Sequence, residues 1–487
     1  MQFVAFEIKN FKGILDPVRI DMTDGNPSFP FILVGDNESG KTTILQGIHL
    51  IYLLCCGYYY EEDLSYNFNP IINENFIAII RPKIPSFTGA TTLTACLSYS
   101  ENETENPKKE DITPEDASKN NKTLTVSFFY HFKGGKYTGF SVSINGKKVQ
   151  LENDFLKWIK DSIPKIVYYS DFIYDKYAYY SFEPDKVPVC YVPDVIKFSK
   201  SHHDNNALWK NRSISFSPHY NYHWQRMLNN IFVGSYYKNN ICRQNSDCDI
   251  SFQKNIIECT DDDAVHQNLS SINDYLNSVI GESWSNITGS EKGIDLYSLE
   301  KKNTEDSFVN FQFRITSNNR SFSLREKSKG FRWFFCFKIL TEIYAKSNSN
   351  KNGIIFLLDE PANHLHIDAQ KKILNSLNDL LKSGRNRVIY STHSPYLINE
   401  ACENLFSVHN VISDNQYSKI ICEKCLTSDI TKNNEKSILA IVHSLWINYF
   451  NKNQKESFSI LQNIANKVGY LDSFTGLIER AYTWFLK

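Results

Sequence analysis

No stretch of this sequence approaches the roughly 20 consecutive apolar residues that a membrane-spanning helix needs. The apolar stretch Ile48–Cys56 is far too short and continues a helical pattern that begins upstream. Met1–Asn10 has no basic segment followed by an apolar one, so no secretion signal is expected; the reading is a cytoplasmic chain with no membrane partner. Charge of one sign is also missing: 53 Lys and Arg against 54 Asp and Glu leave a formal net charge of -1. That balance excludes a general attraction to nucleic acid, and any such contact would need a local basic patch. The 11 cysteines are scattered, with one adjacent pair at Cys55 and Cys56 and one C-x-x-C at Cys422 and Cys425. A structural zinc site needs a second pair at suitable spacing, and none is present. Sustained heptads and internal repeats are absent too, which excludes a long coiled-coil arm.

What is present is an ordinary globular composition, 41% hydrophobic and 22% charged, in a chain of 487 residues that can hold two or three domains. Phe3–Phe11 alternates in part between apolar and polar residues, as a half-buried strand does. Phe31-Ile-Leu-Val is a short apolar run ending at glycine, which reads as a buried strand. From Lys41 to Leu54 the apolar residues Ile44, Leu45, Ile48, Ile51 and Tyr52 fall at helical spacing. Glu101–Thr123 is polar with no periodicity and reads as an exposed loop. Apolar alternation on both sides of Lys133-Gly-Gly-Lys predicts a small antiparallel region. Further strands are expected at 308–315, 354–359 and 388–393, and helices at 329–345, 369–381 and from 435 onward.

Gly35-Asp-Asn-Glu-Ser-Gly-Lys-Thr fits G-x-x-x-x-G-K-[ST] between the expected strand and helix. A chance match arises in about 2% of chains this long, so the pattern carries weight. Glycines let the backbone curl until its N–H groups face phosphate oxygens, and the helix N-terminus adds a favourable dipole. The expected phosphate-binding residues are Gly35, Asn37, Glu38, Ser39, Gly40, Lys41, Thr42 and Thr43. Lys41 would reach the outer phosphates of ATP, and the Thr42 hydroxyl would bind Mg2+. The apolar run Ile354–Leu358 ends in Asp359-Glu360, two carboxylates where ligands of α/β sheets bind. Asp359 would hold Mg2+ and Glu360 would act as the base toward the attacking water. His393 closes a third apolar strand and could hydrogen-bond the terminal phosphate.

These three elements in this order resemble the nucleotide-binding domain of ABC-type ATPases. Lys9-Asn-Phe-Lys-Gly-Ile and Asp359-Glu-Pro-Ala-Asn-His-Leu-His are similar to the SMC/RecF/OLD-like branch of the AAA family rather than to transporters. The resemblance implies an α/β fold: a P-loop ATPase head with a mixed sheet and an antiparallel region, interrupted by a mostly helical middle domain. Residues 1–185 and 301–412 would form the head, 186–300 the insertion and 413–487 a helical end. It also implies a head-to-tail homodimer with ATP at the interface. Ser328 and Gly330, in Arg325-Glu-Lys-Ser-Lys-Gly-Phe-Arg, would then face the partner copy's nucleotide, beside the charges of Arg325, Lys327, Lys329 and Arg332. One family feature is missing, because no glutamine stands between Gln46 and Gln150.

The phrases Lys165-Ile-Val-Tyr-Tyr-Ser-Asp-Phe, Ser328-Lys-Gly-Phe-Arg-Trp-Phe-Phe and Tyr390-Ser-Thr-His-Ser-Pro-Tyr-Leu-Ile-Asn are similar to ATPase subunits of anti-phage systems, the PARIS type first and the Septu type second. About ninety residues follow His393 without an Asp-x-Asp of the kind Toprim nucleases use, and Asp247-Cys-Asp and Asp261-Asp-Asp read as acidic turns. The resemblance then implies a separate effector nuclease of Toprim or HNH type, with DNA or a phage protein as trigger. A DNA-clamping repair ATPase and a nucleotide-gated scaffold are the competing readings.

Overall fold

A computed structural model describes residues 1–23, 30–35, 38–56, 60–61, 69–70, 77, 80–84, 86–100, 121–133, 137–149, 153–169, 196–199, 231, 235, 262–281, 284, 296–304, 308–317, 319–346, 353–361, 365–382, 384–392, 394, 397, 408–414 and 419–424. The chain divides into two compact units: Met1–Ser170 with Asn350–Pro361 and Leu374–Lys487, and Asp171–Ser349 with Ala362–Ile373. Residues 301–349, read with the ATPase head in the sequence, group with the second unit. The helical end expected from 435 onward lies outside the described residues, as do residues 101–120 of the expected loop at 101–123; residues 121–123 belong to a strand instead.

The first unit holds β1 (Gln2–Lys9), β2 (Val18–Asp21), β3 (Phe31–Val34), α1 (Lys41–Cys55), the two-residue pair β4 (Tyr60–Glu61) and β5 (Asn69–Pro70), β6 (Ala90–Ser100), β7 (Asn121–His131), β8 (Tyr137–Ile144), β9 (Lys147–Val149), α2 (Asn153–Ser162) and β10 (Lys165–Tyr169). The second unit contains β11 (Ile196–Ser199), α3 (Asp262–Leu276), β12 (Leu296–Thr304), β13 (Phe308–Ser317), β14 (Arg320–Ser323) and α4 (Lys329–Lys346). The chain then returns to the first unit with β15 (Ile354–Leu358), crosses both units in α5 (Ile367–Leu381), and ends the description with β16 (Arg387–Thr392), β17 (Val408–Asp414) and β18 (Lys419–Lys424).

Besides the short β4–β5 pair, the described residues of the first unit form two six-stranded sheets. One is antiparallel, in the order β2-β1-β6-β7-β8-β9. Strands β7 and β8, on either side of Lys133-Gly-Gly-Lys in sequence, pair antiparallel as expected. The other runs β10-β15-β16-β3-β17-β18, parallel except for the last pair. Every residue of β3 and β15 is buried, which is why both read as unbroken apolar runs rather than as alternation. Helix α1 touches strands of both sheets. Its expected apolar stripe, Ile44, Leu45, Ile48, Ile51 and Tyr52, is buried throughout, in one core with Ile8, Leu93, Leu97, Leu357 and Ile389. Each such side chain contributes about 1.5–3 kcal/mol of apolar burial.

In the second unit β11-β13-β12 form an antiparallel sheet, with β14 also paired to β13. Phe311, Phe313 and Ile315 alternate inward along β13, and Phe313 meets Phe335 of α4 edge-on at 5.1 Å. The edge strand β12 is covered by asparagines at helical spacing. Asn277 exchanges two hydrogen bonds with the Tyr297 backbone and Asn273 accepts from the Leu299 N–H, so edge groups open to another strand are satisfied internally. The middle segment expected to be mostly helical thus contributes α3 and also strands.

Two residues of the first unit yield measurable consequences. Gly353 precedes β15 at φ 82°, and a Cβ there would lie 2.1 Å from the Arg385 carbonyl oxygen. Gly353→Ala should therefore cost about 2 kcal/mol in urea unfolding, and an unchanged midpoint would refute the close approach. Lys12, in the turn after β1, donates to Gln46 Oε1 at 2.6 Å and its carbonyl accepts the Lys83 N–H. Burial first, and then the Lys83 charge, lower its pKa from 10.5 to about 8. The unfolded chain thus keeps a proton that the folded chain releases between about pH 8 and 10.5, and this group's contribution to stability rises with pH across that window. Unfolding free energies of wild type and Lys12→Met, compared at several pH values, should converge in favour of wild type from pH 8 upward; a flat difference would contradict it.

Candidate nucleotide site

Strands of a parallel sheet all finish at the same edge. The neighbours β10, β15, β16 and β3 therefore deliver Tyr168, Asp359 with Glu360, Ser391 and Gly35 to one rim, although Thr42 and Asp359 stand 317 positions apart in sequence. Gly35 leaves β3 where a Cβ would meet the Val411 carbonyl oxygen of β17 at 2.3 Å and Ser39 Oγ at 2.7 Å, so no larger residue fits the start of the loop. Gly40 caps α1 at φ 107°. Glu38 is exposed at φ 65°, Thr43 is half-buried in the first turn, and Asn37 lies outside the described residues.

Lys41 is 5% exposed; its ammonium donates to the Gly35 carbonyl at 2.9 Å and stands 3.4 Å from Glu360 Oε1. Thr42 Oγ1 donates to Asp359 Oδ1 at 3.0 Å, and Ser391 Oγ donates to the same oxygen at 2.6 Å. The Glu360 N–H donates to Ser391 Oγ at 2.9 Å, while Glu360 itself adopts a left-handed φ of 47°. A non-glycine residue held there costs on the order of 1–3 kcal/mol, and the Ser391 bond is part of what holds it. Ser391 was not foreseen. Its signal is a serine directly after Val388-Ile-Tyr in β16, a feature that looks like an ordinary strand end until the register is known.

Burial pushes the Asp359 carboxyl above its ordinary range. The hydroxyls of Ser391 and Thr42 pull it down, Glu360 pushes it up, and Lys41 pulls it down. The residues fit Mg·ATP on two observations. Ser39 Oγ is 4% exposed and finds no hydrogen-bond partner among the described residues, a donor at the place where a phosphate oxygen would sit. Thr42 and Asp359 also pair a hydroxyl with a carboxylate, the hard oxygen set that Mg2+ takes. His393 lies outside the described residues.

Ser328 and Gly330 belong to the second unit. Ser328 is exposed and its Oγ accepts the Phe331 N–H at 3.2 Å, capping α4; Gly330 is buried in the first turn. Lys327 lies 4.8 Å above the Phe322 ring, and Arg332 Nε is buried without a partner among the described residues. The side chains of Arg325 and Lys329 lie outside the description. Among the described residues no group of three or more His, Cys, Asp and Glu side chains gathers as a metal cluster, and no helix is long and apolar enough to cross a membrane.

Comparison with known proteins gives one family and several distant likenesses. A 75-residue segment is 39% identical to an uncharacterized protein of Methanocaldococcus jannaschii, MJECL43, spanning 15% of this chain and 19% of that relative. Among solved structures, an SMC head bound to the C-terminal winged-helix domain of ScpA aligns at a TM-score of 0.41 and 13% identity, covering 88% of this chain and 98% of that one. The SMC head domain of Thermotoga maritima aligns at 0.36 and 13%, covering 87% and 99%. The SMC head with extended coiled coil from Pyrococcus furiosus, bound to a ScpA domain, aligns at 0.40 and 13%, covering 87% and 96%. Those likenesses are distant, and the fold rests on the strand order above. The AAA ATPase domain family matches residues 1–398, from the first strand through the third apolar strand of the site. The chain belongs to the AAA ATPase domain family.

Proposed function

We propose that this chain binds ATP with Mg2+ at the Gly35–Thr43 loop and hydrolyses it, with Glu360 as the base and Asp359 and Thr42 as the metal-binding pair. The observation that carries the reading is the convergence on Asp359 Oδ1 of Thr42 from the loop helix and Ser391 from β16, with Lys41 set between Gly35 and Glu360. Bound Mg2+ supplies charge neutralisation at the outer phosphates. Lys41, now shared between a carbonyl and a carboxylate, would turn to phosphate oxygens, leaving the Glu360 carboxylate able to accept a proton from water. Gly40, Ser39, Glu38 and Asn37 would shape the cradle, and His393 would contact the terminal phosphate.

A finer reading follows from the motifs. Ser328 and Gly330 open α4 with an exposed hydroxyl and a helix N-terminus, features suited to an anion. In a two-fold dimer each copy would offer this segment to the ATP of the other, as the SMC/RecF/OLD-like resemblance implies. The phrases at 165–172 and 390–399 support a role as the ATPase subunit of an anti-phage system of PARIS or Septu type. There nucleotide turnover would hold or release a separate Toprim or HNH nuclease in response to DNA or a phage protein.

Glu360→Gln should retain ATP binding and lose turnover by about 100-fold or more, read as phosphate release beside equilibrium nucleotide binding. Undiminished turnover would remove Glu360 from the chemistry. The shared site has its own test. Lys41→Ala and Ser328→Arg should each be inactive alone, whereas their mixture should recover turnover, because a mixed pair restores one intact composite site. No recovery, with mixed pairs verified by mass, would place each site within a single copy.

A further inference from the structure

Behind the residues that carry the chemistry, a line of side chains runs from the turn after β1 to the second oxygen of Asp359, and each link has a fixed direction. Lys12 Nζ donates to Gln46 Oε1 at 2.6 Å. At neutral pH an ammonium only donates, so Gln46 must present its carbonyl to Lys12 and keep its NH2 for its other partner, the Tyr168 hydroxyl. A hydroxyl that accepts from Gln46 has its own proton left to give. It faces Asp359 Oδ2 at 3.5 Å, the outer limit of a hydrogen bond, and contacts of this kind tighten when a catalytic site binds its ligand.

The Tyr168 ring is fixed in place as well. His49, one turn beyond Gln46 on α1, stacks against it at 5.3 Å and 21°. On its own strand Tyr168 pairs in register with Leu357, two residues before Asp359. Helix α1 therefore carries Lys41 and Thr42 at its start and grips Tyr168 with Gln46 and His49 one to two turns later. A phenol keeps its proton at neutral pH, so the Tyr168 hydroxyl is a donor. Oδ1 of Asp359 already has Thr42 and Ser391, and among the described residues Tyr168 is the hydrogen-bond donor to Oδ2.

We propose that Tyr168 is a positioning residue for the metal-binding carboxylate: its hydroxyl anchors Asp359 Oδ2, Gln46 and Lys12 hold that hydroxyl, and the rotation of Asp359 is thereby set so that Oδ1 faces Thr42 and Mg2+. The proposal deepens, and rests on, the assignment of Thr42 and Asp359 as the Mg2+ pair. Neither Tyr168 nor Gln46 touches nucleotide in this scheme. Their effect passes through the carboxylate and should appear in metal affinity rather than in nucleotide contacts.

Tyr168→Phe keeps the ring and its stack and removes only the hydroxyl. The measurement is binding of a fluorescent ATP analogue to the full chain, titrated with Mg2+ and repeated in EDTA, with the thermal midpoint as a check on folding. The half-saturating Mg2+ concentration should rise about 10-fold while binding in EDTA stays at the wild-type value. Gln46→Met should shift the Mg2+ midpoint the same way but less, and should add nothing to Tyr168→Phe, since the link it supports is already cut. A Tyr168→Phe chain with the wild-type Mg2+ midpoint overturns the proposal, as does a Gln46→Met effect that adds in full. Should Tyr168→Phe fail to fold, Gln46→Met decides alone: a wild-type Mg2+ midpoint there overturns the proposal. A wild-type chain that binds the analogue indifferently to Mg2+ overturns the metal assignment itself, and this proposal with it.

Discussion

Four strands that end at one rim must bring their last residues together whatever separates them in sequence, and this parallel pairing is the constraint on which the candidate site depends. Registers such as Leu358 opposite Tyr390 and Thr392 opposite Val34 fix Asp359, Ser391 and Gly35 at neighbouring positions along the rim. A parallel ladder tolerates such pairing only when both faces are covered, so the burial of β3 and β15 belongs to the same requirement as the placement of the carboxylates. Gly353 and Arg385 meet at the opposite edge, where backbone approaches backbone too closely for any side chain.

That rim concentrates opposed charges in a buried place. Asp359 is 2% exposed and Lys41 5%, and a buried charge without partners is costly. The arrangement offsets this with short-range polar partners. Asp359 takes Thr42 and Ser391 on one oxygen and faces Tyr168 on the other, while Lys41 takes the Gly35 carbonyl and stands beside Glu360. The Lys41 contacts and the Thr42–Asp359 bond are ones that a phosphate or a divalent cation would compete for, whereas Tyr168 faces the other carboxylate oxygen. A site assembled this way is held in shape by the groups that binding would later rearrange.

The second unit follows different physics. The first turns of helix α4 are rich in aromatic residues, with Phe331, Trp333, Phe334, Phe335 and Phe337 all buried, so ring packing as well as helical periodicity sets its position. Its exposed start is polar because Ser328 must satisfy a helix-end N–H, a duty that leaves the hydroxyl at the surface with lone pairs and a helix N-terminus beside it. The asparagines of α3 and the turn after it show the same economy, closing the β12 edge with side-chain amides where another strand could otherwise add.

Much of this was legible in the chain alone. The stripe of Ile44, Leu45, Ile48 and Ile51, the glycine loop before it and the unbroken apolar runs at 31–34 and 354–358 are local patterns, because helix and buried-strand periods are properties of consecutive residues. The absence of a glutamine between Gln46 and Gln150 was legible too, but that the strand beside the carboxylates brings Tyr168 to within 3.5 Å of Asp359 Oδ2 was not. Ser391 and Tyr168 carry no local mark, since a hydroxyl near a strand end and a tyrosine in an aromatic strand are ordinary in sequence. The sequence by itself determined which residues could bind phosphate and metal, through spacing within single segments. Only the tertiary structure decided which hydroxyls orient Asp359, because strand order and parallel register are long-range pairings that no single segment encodes.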